Sequence, residues 1–110
     1  MVGEAKSSET DVGPLDGLTV LDASRVLVGP FCTMQLGDLG AEVVKVEHPK
    51  GGDQTRGWHP PTYGDSEESA YYMSVNRNKR SITLNLASED GRDLFRELAA
   101  KADVVVENFR

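Results

Sequence analysis

The sequence lacks much of what marks several common protein classes. It holds one cysteine, Cys32, so no internal disulfide can form and nothing points to an oxidising compartment. Cys32 falls inside a predicted helix, where a packed small side chain is expected rather than a reactive thiol. No apolar stretch is long enough to span a bilayer. The first residues have no basic region followed by an apolar core, so no secretory signal is expected. Net positive charge is also missing. Twelve Lys and Arg stand against 18 Asp and Glu, a net charge of −6, a poor balance for a general nucleic-acid binder. The expected location is cytoplasmic, with mitochondria left open for a eukaryotic source.

Familiar catalytic signatures are missing as well. There is no G-x-S-x-G nucleophile elbow. His48 and His59 are separated by a breaker-rich loop and Cys32 lies in a helix, so no metal-ligand spacing is present. Asp22, Asp38, Glu47, Asp53 and Glu107 have no partner at a spacing that marks acid–base work, and are expected to be strand-end or surface charges. Glu47 ends a strand, where dinucleotide-binding folds place a ribose-binding carboxylate. The loop before it, ASRVLVGP, has no G-x-G-x-x-G to admit a pyrophosphate, which argues against NAD or NADP.

What is present is organised around Leu18–Pro49. LTVLD, Leu18–Asp22, has the length and composition of a buried strand. Ala23–Gly29 reads as a loop, and Pro30 suits the first turn of a helix. Phe31–Leu39 carries the helix, which Gly40 should end in a left-handed conformation. EVVKVE, Glu42–Glu47, is a second strand closed by Pro49. Strand, helix and strand at this spacing make a βαβ unit with adjacent parallel strands.

Before this unit, Met1–Gly13 is small, polar and acidic, and is expected to be a disordered tail. After it, Lys50–Ala70 is a long breaker-rich loop, followed by a short ordered turn at Tyr71–Met73 and a basic turn at Asn76–Arg80. SITLNL, Ser81–Leu86, alternates as a strand does. Ser88 is a good N-cap for a helix whose Leu94, Phe95, Leu98 and Ala102 form an apolar stripe, with Arg92, Arg96 and Lys101 outward. DVVVE, Asp103–Glu107, is the last strand. The expected fold is α/β, a Rossmann-like parallel sheet with flanking helices. Residues 14–110 are expected to form the N-terminal, incomplete part of a larger domain.

Ligands of such sheets bind beyond the carboxyl ends of the strands. Ala23–Gly29, His48–Asp53 and Asn108–Arg110 fall there, with the residues after Leu86 if that strand is parallel too. The first helix begins at the same edge, and free N–H groups in its first turn favour an anion such as phosphate. Gly29 is expected either to admit a ligand close to the backbone or to serve a tight turn. Arg77, Lys79 and Arg80, with Arg56 and Arg110, could hold a polyanion. On spacing alone they are expected instead to pair with the acidic excess. Trp58 and Tyr63 could stack on an aromatic ligand or cover the core.

The segments PLDGLTVLDASRVLVGPFCTMQLGDLGAEVVKVEHP, GGDQTR, SVNRNKRSITLNL and GRDLFRELAAKADVVVENFR resemble the N-terminal part of family III CoA-transferases, the group that includes formyl-CoA transferase. The stretch TRGWHPPTYGDSEESAYYMSVNRNKRS is most similar to the branch acting on succinate and hydroxymethylglutarate or glutarate. The resemblance implies CoA contacts at Leu27 and Val28, at His48, at Leu84, Asn85, Leu86 and Ala87, and at Asn108, Phe109 and Arg110. The family commonly has a basic residue where His48 stands. It further implies CoA or acyl-CoA as substrate with no tightly bound cofactor, a small carboxylic acid as co-substrate, and a homodimer. Family members use an aspartate nucleophile, expected beyond this segment, so no residue here is assigned a catalytic role. An acyl-CoA racemase or dehydratase of the same superfamily, and a non-catalytic nucleotide-binding module, are the alternatives.

Overall fold

A computed structural model describes residues 12–110. The expected disordered tail therefore lies outside the described residues except for its last two. Gly13 packs against the Leu39 carbonyl and accepts a hydrogen bond from the Asp16 N–H.

Four strands form one sheet in the order β3-β2-β1-β4, and every pairing is parallel. They are β1 (Thr19–Ala23), β2 (Glu42–Glu47), β3 (Lys79–Thr83) and β4 (Val104–Glu107). The helices are α1 (Val28–Asp38), α2 (Ala70–Val75) and α3 (Glu89–Lys101), with a 3-10 turn at Gln54–Gly57. Parallel strands need crossovers: α1 joins β1 to β2, the long loop with α2 joins β2 to β3, and α3 carries the chain from β3 across to β4 at the far edge. The α/β sheet expected from the strand–helix spacing is thus the observed architecture.

Local chemistry accounts for the boundaries. Pro30 sits in the first turn of α1, as anticipated, but the helix begins two residues before it. Leu27 gives no side-chain cap, so the first-turn N–H groups are left to the strand edge. Ser88 caps α3 by accepting from the Gly91 N–H at 3.0 Å, and Glu89 and Asp90 complement the helix dipole. Ser69 caps α2 through the Tyr72 N–H, turning the anticipated Tyr71–Met73 turn into a short helix.

β3 departs from expectation. It begins at Lys79, two residues earlier than the alternation suggested, and Leu84–Leu86 lie beyond its end. Asn76–Arg80 is therefore not a free basic turn. Lys79 is buried against Asp22 at 3.1 Å, Arg77 pairs with Asp38 at 2.8 Å and Arg80 with Glu42 at 3.2 Å. For these three residues the pairing expected from the acidic excess is what forms.

The core is small. Val20, Ala41 and Val43 are buried together, with Leu15, Leu36 and Val106 packed against them. Full burial of a valine such as Val20 or Val43 contributes about 1.5–3 kcal/mol. The α3–β4 side is thinly covered: Leu94, expected in the buried stripe, is exposed, as are Val104 and Val105. Cys32 is exposed rather than packed, because it lies on the outward face of α1.

Beneath the strand ends the interior is charged. Asp22, Lys45, Glu47 and Asp53 are all buried; Glu47 and Glu107 stand at strand ends as expected, but Asp53 is not the strand-end or surface charge anticipated. Removing one member of a buried pair strands the other in low dielectric. Lys79→Met in the full-length protein is expected to cost about 3–5 kcal/mol in urea unfolding. Arg80→Met, whose ion pair is exposed, should cost no more than about 1 kcal/mol.

Candidate functional site

The carboxyl ends of the four strands gather three adjoining hollows. A central one of about 210 Å³ is lined by Ala23, Arg25, Val46, Glu47, His48, Leu84, Leu86, Ala87 and Phe109. Towards α3 it shares Leu86 and Phe109 with an apolar hollow of about 370 Å³, completed by Arg92, Phe95 and Arg96. Towards the long loop it shares Glu47 and His48 with a polar hollow of about 240 Å³ that takes in Gly51, Gly52, Arg56, Ser81 and Thr83. The result is a trough with one mainly apolar end, flanked by Arg92 and Arg96, and one polar end where Arg56 is paired with Glu47.

Five of the ten residues singled out from sequence therefore line one cavity: His48, Leu84, Leu86, Ala87 and Phe109. The other five stand apart from its walls. Leu27 and Val28 are exposed at the start of α1. Asn85 turns its side chain onto its own loop, accepting from the Ala87 N–H at 3.0 Å. Asn108 spends its amide on Arg25, accepting from the backbone N–H at 3.1 Å and donating to the carbonyl at 2.8 Å. Arg110 is exposed. His48 Nδ1 accepts from the Lys50 N–H at 2.9 Å, so in the neutral ring Nε2 carries the hydrogen and can donate.

Gly29 has a packing role. A Cβ there would overlap Ser24 Cβ and Oγ, so its small size serves the β1–α1 turn. Trp58 packs edge-on to Tyr71 at 5.1 Å between ring centroids. Neither Trp58 nor Tyr63 lines the trough.

Two buried networks hold the loops that form the rim. In the first, Asp22 accepts from the Ser24 hydroxyl, from Thr33 of α1 at 2.6 Å and from Lys79 at 3.1 Å. Burial by itself raises this carboxyl's pKa. The bonds from Ser24 and Thr33 and the Lys79 charge outweigh that and hold it below the ordinary carboxylate range. In the second, Lys45 bridges Asp53 at 3.0 Å and the Ser24 carbonyl at 3.2 Å, joining the loops after β1 and β2.

Glu47 is the hub of the polar end. Arg56 forks onto both its oxygens at 2.8 Å, and Ser81, Tyr72 and the Asp53 N–H also donate to it. Its acceptors are thus fully engaged, which fits the absence of a dinucleotide fingerprint. Gly51 and Gly52, at φ 89° and 73°, fold the loop back so that the Asp53 N–H meets this carboxylate. Burial pushes the Glu47 pKa up, but the hydrogen bonds from Arg56, Ser81 and Asp53 and the Arg56 charge prevail and bring it to about 2.

Sequence reasoning missed Arg25, Arg92, Arg96 and the Lys45–Asp53 pair. One signal was available. Lys45 interrupts the apolar run of β2, and a charge inside a buried parallel strand requires a partner.

The CoA-transferase family III model matches residues 15–110. The chain is 54% identical over 107 residues to the succinyl-CoA:glutarate CoA-transferase of Homo sapiens, covering 97% of this chain and 24% of that protein. It is 54% identical over 102 residues to the succinyl-CoA:mesaconate CoA-transferase of Haloarcula marismortui, covering 90% and 25%. Among solved structures, a CAIB/BAIF family protein from Brucella suis superimposes with a TM-score of 0.83 at 50% identity, over 89% of this chain and 26% of that one. The chain spans about a quarter of the length of the curated relatives it matches.

Glu47 generates a prediction with a definite sign. Its pKa is depressed on folding from 4.5 to about 2. The stability it contributes is complete above the unfolded value and is lost as pH falls from about 4.5 towards 2. Glu47→Gln should lower stability at pH 7 and flatten the fall in that window. Denaturant unfolding between pH 2 and 7 measures both.

Proposed function

The chain belongs to CoA-transferase family III, and from that premise we propose that the protein moves CoA from an acyl-CoA, succinyl-CoA foremost, to a dicarboxylic acid such as glutarate. The observation that carries this is the trough, where His48, Leu84, Leu86, Ala87 and Phe109 meet at the carboxyl edge of a parallel sheet. CoA is long, with a pantetheine arm whose methylene and gem-dimethyl groups alternate with two amides and a hydroxyl, and an anionic nucleotide. The apolar hollow at Phe95 and Phe109 suits the arm or the base. The His48 Nε2–H and the open first turn of α1 suit phosphate.

In this scheme CoA is a substrate and no tightly bound cofactor is needed. An aspartate carboxylate attacks the thioester carbonyl of the donor, forming a mixed anhydride and expelling CoA thiolate. The thiolate attacks the aspartyl carbonyl, releasing the donor acid and leaving an enzyme–CoA thioester. The acceptor carboxylate then repeats the sequence in reverse and leaves as its CoA ester. Asp22 and Asp53 are buried in ion pairs, so neither is offered as the nucleophile, which we place outside these 110 residues. The role of this segment is to bind and orient CoA. We also propose that the full-length protein acts as a homodimer.

Two experiments test this. Full-length protein given succinyl-CoA and a panel of dicarboxylates should form the acceptor's CoA ester only when acceptor is present, as read by liquid chromatography and mass spectrometry. Thioester hydrolysis alone, or hydrogen exchange at the α-carbon without transfer, would refute it. Leu86→Glu, at the junction of the central and apolar hollows, should raise KM for the acyl-CoA about tenfold or more with much less effect on kcat, because it sets a charge against an apolar wall.

A further inference from the structure

The turn between β1 and α1 is gripped at each of its first three residues. The Ser24 carbonyl accepts from Lys45 at 3.2 Å. Both backbone polar groups of Arg25 are taken by the Asn108 amide, at 3.1 and 2.8 Å. The Val26 N–H donates to Asp53 at 3.3 Å, and Asp53 is itself fixed by Lys45 at 3.0 Å.

The turn needs this grip. Val26 has φ 78°, a left-handed conformation that a β-branched residue adopts only when its surroundings impose it. Directly after it come Leu27 and Val28, the first residues at the open end of α1, and Arg25 lines the central hollow. Asn108 is exposed, so its two bonds compete with water and add little to global stability. Their effect falls on the shape of the turn.

We infer that Asn108 and Asp53 are positioning residues: they hold Arg25 and Val26 in the strained turn that presents the first turn of α1 to the ligand. Asn108 therefore acts through Arg25 rather than by touching CoA. This rests on the CoA-binding role proposed above. Local strain kept by side chains from the loops after β2 and β4 makes the rim one rigid unit, and a preorganised site loses less entropy on binding.

A double-mutant cycle separates this from direct contact. Binding of free coenzyme A by the full-length protein is measured calorimetrically for wild type, Asn108→Ala, Val26→Gly and the double variant. Glycine accepts the left-handed turn without strain but does not enforce it, so Val26→Gly should leave Tm unchanged or raised. Each single variant is expected to bind about tenfold more weakly. The double variant should bind no more weakly than the weaker single one, because both act on one turn. A double variant about a hundredfold weaker would mean independent effects and would overturn the inference. So would an Asn108→Ala protein that binds within about twofold of wild type. If wild type itself binds no CoA, the proposed function fails first and the inference with it, whereas additive losses in a CoA-binding protein overturn the inference alone.

Discussion

The architecture depends on two buried ion pairs beneath the carboxyl ends of the strands, Asp22 with Lys79 and Lys45 with Asp53. Taking such charges out of water costs several kcal/mol per ion, so each is surrounded by further donors and acceptors. Asp22 joins β1 to β3 and to Thr33 of α1; Lys45 joins β2 to the loops after β1 and β2. A slip of one residue in any of these strands would turn its charge to the other face of the sheet. The pairs thus specify register and loop placement as much as they stabilise. The apolar core, a few valines and their neighbours, would be a weak guarantor of either.

From this constraint the site follows. All four strands run the same way, so their trailing loops must gather on one edge, and the ion pairs and the Glu47 hub fix those loops against one another. The edge combines apolar walls from Leu86, Phe95 and Phe109 with cationic groups at Arg56, Arg92 and Arg96. The arginines are held by partners: Arg56 by Glu47, Arg92 by the Leu86 and Ala87 carbonyls, Arg96 by Asp93. The side chains are therefore fixed, and of the three Arg92 is held by carbonyls rather than by a carboxylate. That geometry suits an elongated molecule with both anionic and less polar parts, and agrees with membership in CoA-transferase family III.

Much of this was legible in the residues. Strand length, the Gly-Pro turn and the Ser88 cap are local signals, and they located the βαβ unit, α3 and the functional edge. β3 was displaced because SITLNL alternates as well outside a strand as inside one, whereas Lys79 is held in the sheet by distant partners, Val43 in the ladder and Asp22 57 residues away. The buried role of Asp22, Glu47 and Asp53 was hidden for the same reason: their partners are distant in sequence. Gly29 was ambiguous until Ser24 was seen against it. The outward face of Leu94 could not be read from helical periodicity, which shows where a stripe lies but not whether anything covers it.

The account stands on CoA lying along the carboxyl edge. A crystal structure of the full-length protein with coenzyme A bound tests this most directly. CoA is predicted to run through the trough, in contact with Leu86 and Phe109, with its phosphates near His48 and the first turn of α1. CoA density on another face of the sheet, with this edge left open, would contradict it.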